Sequence, residues 1–492
     1  MIFYYNRAGI VANIALLANI FFIIGTLASL GAALTLPGIA GLVLTIGMSV
    51  DANVLIYERI KEELRKGKGI KLAIQDGYSH AYSAIVDANI TSLLTAIVLA
   101  YFGSGPIQGF ATTLIIGVFT SLFSAIFITR LIFSHMLDKK RNVSFSNNMT
   151  EKLFTNNTIQ FLNKRKLFYG FSALIVIAGV SSLFMRGLDG GVEFTGGRTY
   201  RVEFSKAPNK EEVRKAIAER SKTFDADSVK VVPEVKTVDN AYTLEITTKY
   251  LHDYTGDNAI YKVDSVVKKA FYDLGYFNNG PADDVDNWES KCNEDKCASF
   301  LIKTQRSVDS QISSELVFGS ILAIVISLLI IFMYIAFRFK KWQFGLGALV
   351  AMFHDVLVVL GLFSLLYNIV PFSMEIDQAF IAAILTVVGY SINDTVVVFD
   401  RIREYTILHK RGDQNEVVNK ALNSTLSRTL NTSLSTFLVL LTIFIFGGES
   451  IRGFSFALMI GVIVGTYSSV CIATPSVIDL TKSIMGGSSK EK

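Results

Sequence analysis

Residues 47–60 read GMSVDANVLIYERI, and 342 positions later residues 389–402 read GYSINDTVVVFDRI. Five of the fourteen aligned positions are identical: Gly47/Gly389, Ser49/Ser391, Val54/Val396, Arg59/Arg401 and Ile60/Ile402. Most others are close swaps, such as Asp51/Asn393, Tyr57/Phe399 and Glu58/Asp400, and the register holds without a gap through Asn89 and Asn431. Each copy carries an acidic residue inside an apolar, helix-length run. A carboxylate in that setting costs roughly 3 kcal/mol or more unless it is paired, wetted or neutral, which makes it a functional site by default. Two such helices related by an internal repeat suggest a transporter whose coupling site lies between its halves.

The rest of the chain agrees. Of 492 residues, 51% are hydrophobic and 18% charged, against about a quarter charged in a soluble protein. The apolar residues gather in runs of about twenty, the length that spans a bilayer core. The chain therefore reads as a polytopic α-helical membrane protein, and its +5 net charge as loop Lys and Arg rather than a nucleic-acid signal. The N-terminal apolar stretch runs on into further spans, so it reads as a span and not as a cleavable signal.

Ten spans are expected in two groups. The first holds four, near 9–33, 38–58, 82–102 and 107–133. The second holds six, near 166–187, 312–337, 343–367, 376–400, 424–446 and 452–480. The expected domains are a first bundle at 1–136, a polar linker at 137–165, a lone span at 166–187, a hydrophilic α/β domain at 188–311, a second bundle at 312–482 and a tail at 483–492. Basic clusters follow the second, fourth, sixth and eighth spans and precede the fifth, while turns such as GSGPIQ and GGESIR carry almost none. That asymmetry sets the basic side and the C-terminus in the cytoplasm and the 188–311 domain outside it. Within that domain TYRVEF alternates like a strand and NKEEVRKAIAER is amphipathic. The succession β-α-β-β-α-β predicts a small ferredoxin-like sandwich, entered through a glycine turn, GGVEFTGG at 190–197.

The repeat extends further. FATTLIIGVFTSLFSA (110–125) echoes FSFALMIGVIVGTYSS (454–469) at an offset of 344. The membrane part is thus two homologous bundles, the second with two spans and a domain that have no counterpart in the first. Met1 opens on IFYYNRAGI, which resembles the end of a span already crossing, so the chain is expected to begin inside its first half.

The candidate chemistry follows from depth. Asp394 precedes Arg401 and Arg403 by seven to nine residues, roughly 10–14 Å at 1.5 Å per residue. Arg428 lies at a similar depth along the next, antiparallel span, so the two are expected to meet. Protonating the acid would release the arginine, a proton switch. A static structural pair is the competing reading. Asp51 sits at matching depth in the first half, where Val86 replaces the arginine. It is expected near Asn53, Asp87 and Asn89, either with its pKa raised by unpaired burial or as the counter-charge to Arg428 across the bundle interface. Asn393, Thr395 and Asn431 would line a water path or hydrogen-bond between helices. His354 and Asp355 would relay protons or pack. Cys292 and Cys297, in CNEDKC, would form a local disulfide in an oxidising compartment. With no P-loop, nucleophile elbow or HExxH, and only five His, neither an enzyme nor a metal or other cofactor is expected.

Three segments resemble SecD and SecF, accessory subunits of the bacterial Sec export machinery: LTLPGIAGLVLTIGMSVDANVLIYERIKEEL (34–64) on the SecD side, and GGVEFTGG and GYSINDTVVVFDRIRE (389–404) on the SecF side. Both in one chain resemble the fused SecDF form, lacking the N-terminal part of SecD with its first span and large periplasmic domain, as a fragment or a split form. The resemblance implies a fold of the resistance-nodulation-division type in the bacterial cytoplasmic membrane. It implies late-stage promotion of protein export by the proton-motive force, with partners SecYEG, SecA, YajC and YidC and unfolded preproteins as substrate. It places Asp51, Asp394 and Arg428 among the family's proton-pathway residues and 188–311 at SecF's smaller periplasmic domain. Glu193 stands where the glycine motif usually has Asp. The alternatives are a proton-coupled efflux transporter of small molecules or lipids, and a structural scaffold for the translocon.

Overall fold

The computed structural model describes residues 1–481 except 33, 104, 142, 148–149, 151–157, 225–231, 239, 252–256, 279–297, 368 and 410–412. Among them, ten helices are long and apolar enough to cross a membrane. In lipid a helix satisfies its own backbone hydrogen bonds, so apolar runs of this length take no other form.

Four helices make the first bundle: α1 (Arg7–Ser29), α2 (Leu36–Arg65), α3 (Ile70–Phe102) and α4 (Pro106–Phe123). Helix α4 continues through a π-helical turn, Ser124–Ile128, to Asp138. Helix α5 (Arg165–Arg186) leads into the extramembrane domain. That domain comprises β1 (Gly197–Phe204), α6 (Lys210–Phe224), β2 (Glu234–Thr237), β3 (Thr243–Thr248), α7 (Asp257–Asp273), β4 (Tyr276–Asn278) and β5 (Ala298–Val308). The chain then re-enters the bundle as α8 (Ser310–Phe339), α9 (Trp342–Leu366), α10 (Gln378–Leu408), α11 (Gln414–Phe446) and α12 (Glu449–Ser468). Helix α12 also continues through a π-helical turn, Ser469–Ala473, to Leu480.

Starts are marked by side chains that satisfy free amide groups. Thr35 accepts from the Gly38 amide at 3.1 Å before α2, with Pro37 in the first turn. Asp377 accepts from Phe380 at 2.7 Å before α10, and Asp413 from Glu416 at 3.1 Å before α11.

The internal repeat is visible as geometry. Helix α2 packs on α11 of the other half, and α10 packs on α3. Helices α2 and α10 form the centre: 72% and 94% of their most apolar windows are buried, against 17% in α5 and in α8, which face outward. Each half also keeps one tight crossing. Gly117 on α4 lies so close to Thr45 on α2 that a Cβ would overlap it, and Gly461 on α12 stands in the same relation to Val387 on α10. The two π-helical turns follow these glycines at positions that match across the repeat to within one residue.

The extramembrane domain is a five-stranded sheet, among the described residues, in the order β2-β3-β1-β5-β4. All pairs are antiparallel except β4 with β5. Tyr200, Val202 and Phe204 alternate onto the face covered by α6 and α7, where they meet Val213, Ile217 and Phe271. This is the ferredoxin-like arrangement expected from the sequence, extended by the short edge strand β4. The stretch before β1 is more than a turn. Gly191 donates to the Ile376 carbonyl and the Ile376 amide donates to Asp189, both at 2.8 Å, tying the glycine motif to the loop that leads into α10.

Candidate functional site

Asp51, Asp394 and Arg428 each sit near the middle of their helices, α2, α10 and α11. They are 5%, 1% and 3% exposed. The antiparallel run of α10 and α11 brings Arg428 to the depth of Asp394, and the α2–α11 contact brings Asp51 to its other side. Arg428 divides its guanidinium between the halves: Nη1 donates to Asp394 Oδ1 and Nη2 to Asp51 Oδ1, each at 2.7 Å. Of the two readings of Asp51, the counter-charge to Arg428 is the geometry found.

The remaining carboxylate oxygens are also engaged. Asn393 donates its amide to Asp51 Oδ2. Ser433 donates to Asp394 Oδ2 at 3.4 Å and itself accepts from Thr466 of α12 at 2.6 Å. Two carboxyls facing one cation leave a surplus negative charge in a buried place. A buried charge without a full partner is costly, so a proton is the natural complement. The Arg428 Nε has no hydrogen-bond partner among the described residues.

Two small cavities flank the arginine. One, of about 20 Å³, is lined by Asp51, Asn89, Ser92, Asn393 and Arg428. The other, also about 20 Å³, runs from Arg428 past Asp400 and Ser424 to Arg59, Glu62 and Arg401. Each exceeds the roughly 10–15 Å³ that one water needs. Arg428 therefore separates two water-sized spaces.

The second cavity ends at an ion network the sequence reading missed. Arg59 on α2 donates to Glu404 on α10 at 3.0 Å, and Arg401 on α10 donates to Glu62 on α2 at 2.5 Å. These four residues are repeat mates, so each half binds the image of its own charges, and each arginine also pairs with the glutamate three residues on in its own helix, at 3.2 Å for Arg59–Glu62 and 2.9 Å for Arg401–Glu404. Continuing the repeat alignment past Arg59/Arg401 to Glu62/Glu404 would have exposed the pattern.

Other candidates lie elsewhere. Asp87 on α3 does not join Asp51; it accepts from Arg338 Nε at 2.8 Å and Tyr334 at 3.1 Å, both on α8. Asn53 turns back to the Ser49 carbonyl of its own helix at 3.1 Å. Thr395 points away from its neighbour Asp394, because adjacent helical positions diverge by about 100°, and meets Ser469 at 2.9 Å. Asn431 reaches Tyr5. His354 and Asp355 form a second buried cluster across α9, α10 and α12. Asp355, fully buried, lies 3.0 Å from His354 Nδ1 and accepts from Ser391 at 2.5 Å and Ser468 at 2.8 Å. Cys292 and Cys297 lie outside the described residues, while Cys471 is a buried free thiol.

Residues 1–139 and 289–483 match the family profile described as protein export membrane protein SecD/SecF, C-terminal, and residues 181–208 match the SecD/SecF GG motif. The chain is 34% identical over 478 residues to the protein translocase subunit SecDF of Brucella abortus, covering 97% of this chain and 58% of that one. It is 41% identical over 329 residues to the SecF subunit of Rhodothermus marinus, covering 67% of this chain and 95% of that one. The crystal structure of SecDF from Thermus thermophilus superposes with a TM-score of 0.78 at 33% identity, covering 97% of this chain and 60% of that one. The chain thus spans about three-fifths of the length of the SecDF relatives it matches.

Proposed function

The chain belongs to the SecD/SecF family of protein-export membrane proteins, and from that premise we propose that it is an accessory subunit of the Sec translocase. In this reading it works with the SecYEG channel and SecA, alongside YajC and YidC. It draws on the proton-motive force to promote late steps in the export of unfolded preproteins across the bacterial cytoplasmic membrane. The basic loops face the cytoplasm, with the C-terminus, and the extramembrane domain faces the other side, as loop charge favours.

The observation that carries the reading is the single guanidinium shared between Asp51 and Asp394. A proton delivered to Asp394 removes the charge that holds one arm of Arg428, leaving the other arm on Asp51. Helix α11 is then tied to α2 rather than to both central helices. Loss of that proton restores the bridge. Each cycle offers two packings of the same helices, which is what a bistable transmitting element needs. A membrane potential of 100 mV supplies about 2.3 kcal/mol per charge moved, enough to change the populations of two such packings about fifty-fold. The water-sized spaces on either side of Arg428 provide room for the proton to approach and leave. The buried His354–Asp355 pair, tied through Ser391 to α10, is the candidate relay toward this site. The chemistry is proton transfer between fixed side chains, not bond making or breaking in a substrate.

The test is export of a preprotein into inverted membrane vesicles containing the translocase and this chain, with and without a proton gradient. Asp394→Asn, verified to be folded and inserted, is expected to lose the gradient-dependent stimulation. Export undiminished in that variant would remove Asp394 from the coupling path.

A further inference from the structure

The extramembrane domain rests on the membrane bundle through a seam of charged groups. Strand β2 contributes Glu234 and Lys236. The loop before α10 contributes Glu375 and Asp377, and the helical turn of the glycine motif contributes Glu193. Lys236 lies 2.9 Å from Glu234 and 3.5 Å from Glu375. The side chains of Lys236, Glu234 and Glu375 are only 17%, 19% and 11% exposed. One lysine therefore faces more carboxyls than it can neutralise.

The other charged groups near the seam do not correct the imbalance. Glu245, across from Lys236 in the β2–β3 register, is faced on its other side by Arg201 of β1, so that pair leaves the excess of Glu193, Glu234, Glu375 and Asp377 over Lys236 unchanged. Asp189 is taken up by Lys249 at 2.9 Å. Glu449, at the start of α12, holds Lys210 at 2.5 Å and the Thr237 amide at 3.1 Å, with Arg452 near it.

Glu234 and Glu375 converge on the one Lys236 ammonium, both largely buried. Two carboxyls in that relation need a proton between them, because two buried like charges cannot both persist. Burial and the neighbouring Glu234 push the Glu375 carboxyl up to about 10. Burial also raises Asp377, and burial with Asp377 raises Glu193. Burial works against the Lys236 charge, but Glu234 and Glu375 more than offset it and hold the ammonium above its ordinary range.

We propose that this seam is a proton-linked latch: the extramembrane domain docks on α10 and α12 while Glu234 and Glu375 share a proton, and lifting the domain away releases that proton to water. Once separated, both carboxyls are solvated and ionised and Lys236 is free. The latch bears on the membrane site through one continuous element. Asp377 caps α10, and the same helix carries Asp394 further along. The inference is read from the seam alone and does not rest on the proposed export role.

The sign follows from linkage. The docked state binds a proton that the displaced state gives up, so docking is strongest below the ordinary glutamate range. It weakens as pH rises, until the docked carboxyl itself ionises near pH 10. The test uses the full chain in lipid nanodiscs with Cys292, Cys297 and Cys471 replaced by serine. Spin labels are placed at Lys215→Cys on α6 and Ile369→Cys beside α9, both exposed, and their separation is measured by pulsed electron paramagnetic resonance from pH 6 to 10. The ratio of displaced to docked domain is expected to rise up to about tenfold per pH unit for one proton. In Glu375→Gln the domain stays docked and the profile flattens. Glu234→Gln tests the same pair independently and is expected to flatten it as well. A separation that does not change across this range, or two glutamine variants that keep the wild-type slope, would overturn the latch.

Discussion

Asp51 accepts a hydrogen bond from Asn393, the residue that occupies its own position in the second repeat. The two copies of one ancestral site thus touch at the axis that relates them, and the asymmetry between acid and amide is what allows the contact. Asn393→Ala leaves an Asp51 oxygen buried without its donor, which should cost about 1–3 kcal/mol. Asn393→Asp sets a third carboxyl against Arg428 and should cost more. Denaturant or thermal unfolding of the two variants in detergent checks the order; equal stabilities would refute it.

Arg428 serves two carboxyls at once because a guanidinium presents a planar fork of donors. Lysine offers a point charge on a flexible stem. Arg428→Lys is expected to insert and fold but to lose most gradient-dependent stimulation of export. Arg428→Ala, which leaves two buried carboxyls unpaired, should lose about 3–5 kcal/mol of stability. Finding the lysine variant as active as the parent would show that bridging is not required.

The reciprocal pairs Arg59–Glu404 and Arg401–Glu62 are chemically identical but differ in exposure. Glu404 is 41% exposed in its side chain and Glu62 is 27%, while Arg401 is 8% and Arg59 13%. Solvent screens the first pair more strongly. Double-mutant cycles should give a coupling of about 1 kcal/mol for Arg401–Glu62 and less for Arg59–Glu404. The reverse ranking would mean that exposure does not set their strength.

Gly117 and Gly461 hold equivalent crossings, and a methyl at either would overlap a β-branched side chain on the central helix. Each alanine substitution should cost about 1–3 kcal/mol. Gly25, with open space around it, is the control: Gly25→Ala should leave thermal stability unchanged or slightly raised. A loss at Gly25 equal to that at Gly461 would argue against the crossing as the cause.

Glu193 is raised by burial and by Asp377. Its neutral form suits the folded structure, so its contribution is present at low pH and fades as pH rises through the folded value. Glu193→Gln should therefore match the parent at acidic pH and exceed it at alkaline pH. The divergence is visible in thermal unfolding curves from pH 4 to 9, and parallel curves across that range would exclude the effect.

How much of this could be read from the residues differs from place to place. The meeting of Asp394 with Arg428 was legible, because helix rise and the antiparallel turn between two spans fix their depths. Asp51 was legible through the repeat. The partner of Asp87 was not: it depends on which face α3 turns toward α8, and no local pattern records that. The seam around Lys236 was hidden for a similar reason. Its members come from the glycine motif, β2 and the loop before α10, and only tertiary packing unites them. Strand β4 is three residues long, too short to leave an alternating signature. The π-helical turns leave no mark in hydrophobic periodicity.

The reciprocal ion pairs have a consequence for assembly. Arg59 binds Glu404 and Arg401 binds Glu62 across the halves, beside the Arg59–Glu62 and Arg401–Glu404 pairs within each helix, and two copies of the same half would reproduce these ion pairs but lack Arg428 or double it. Correct mating therefore depends on supplying unlike halves in a one-to-one ratio. Joining them in one polypeptide fixes that ratio and raises their effective concentration for each other.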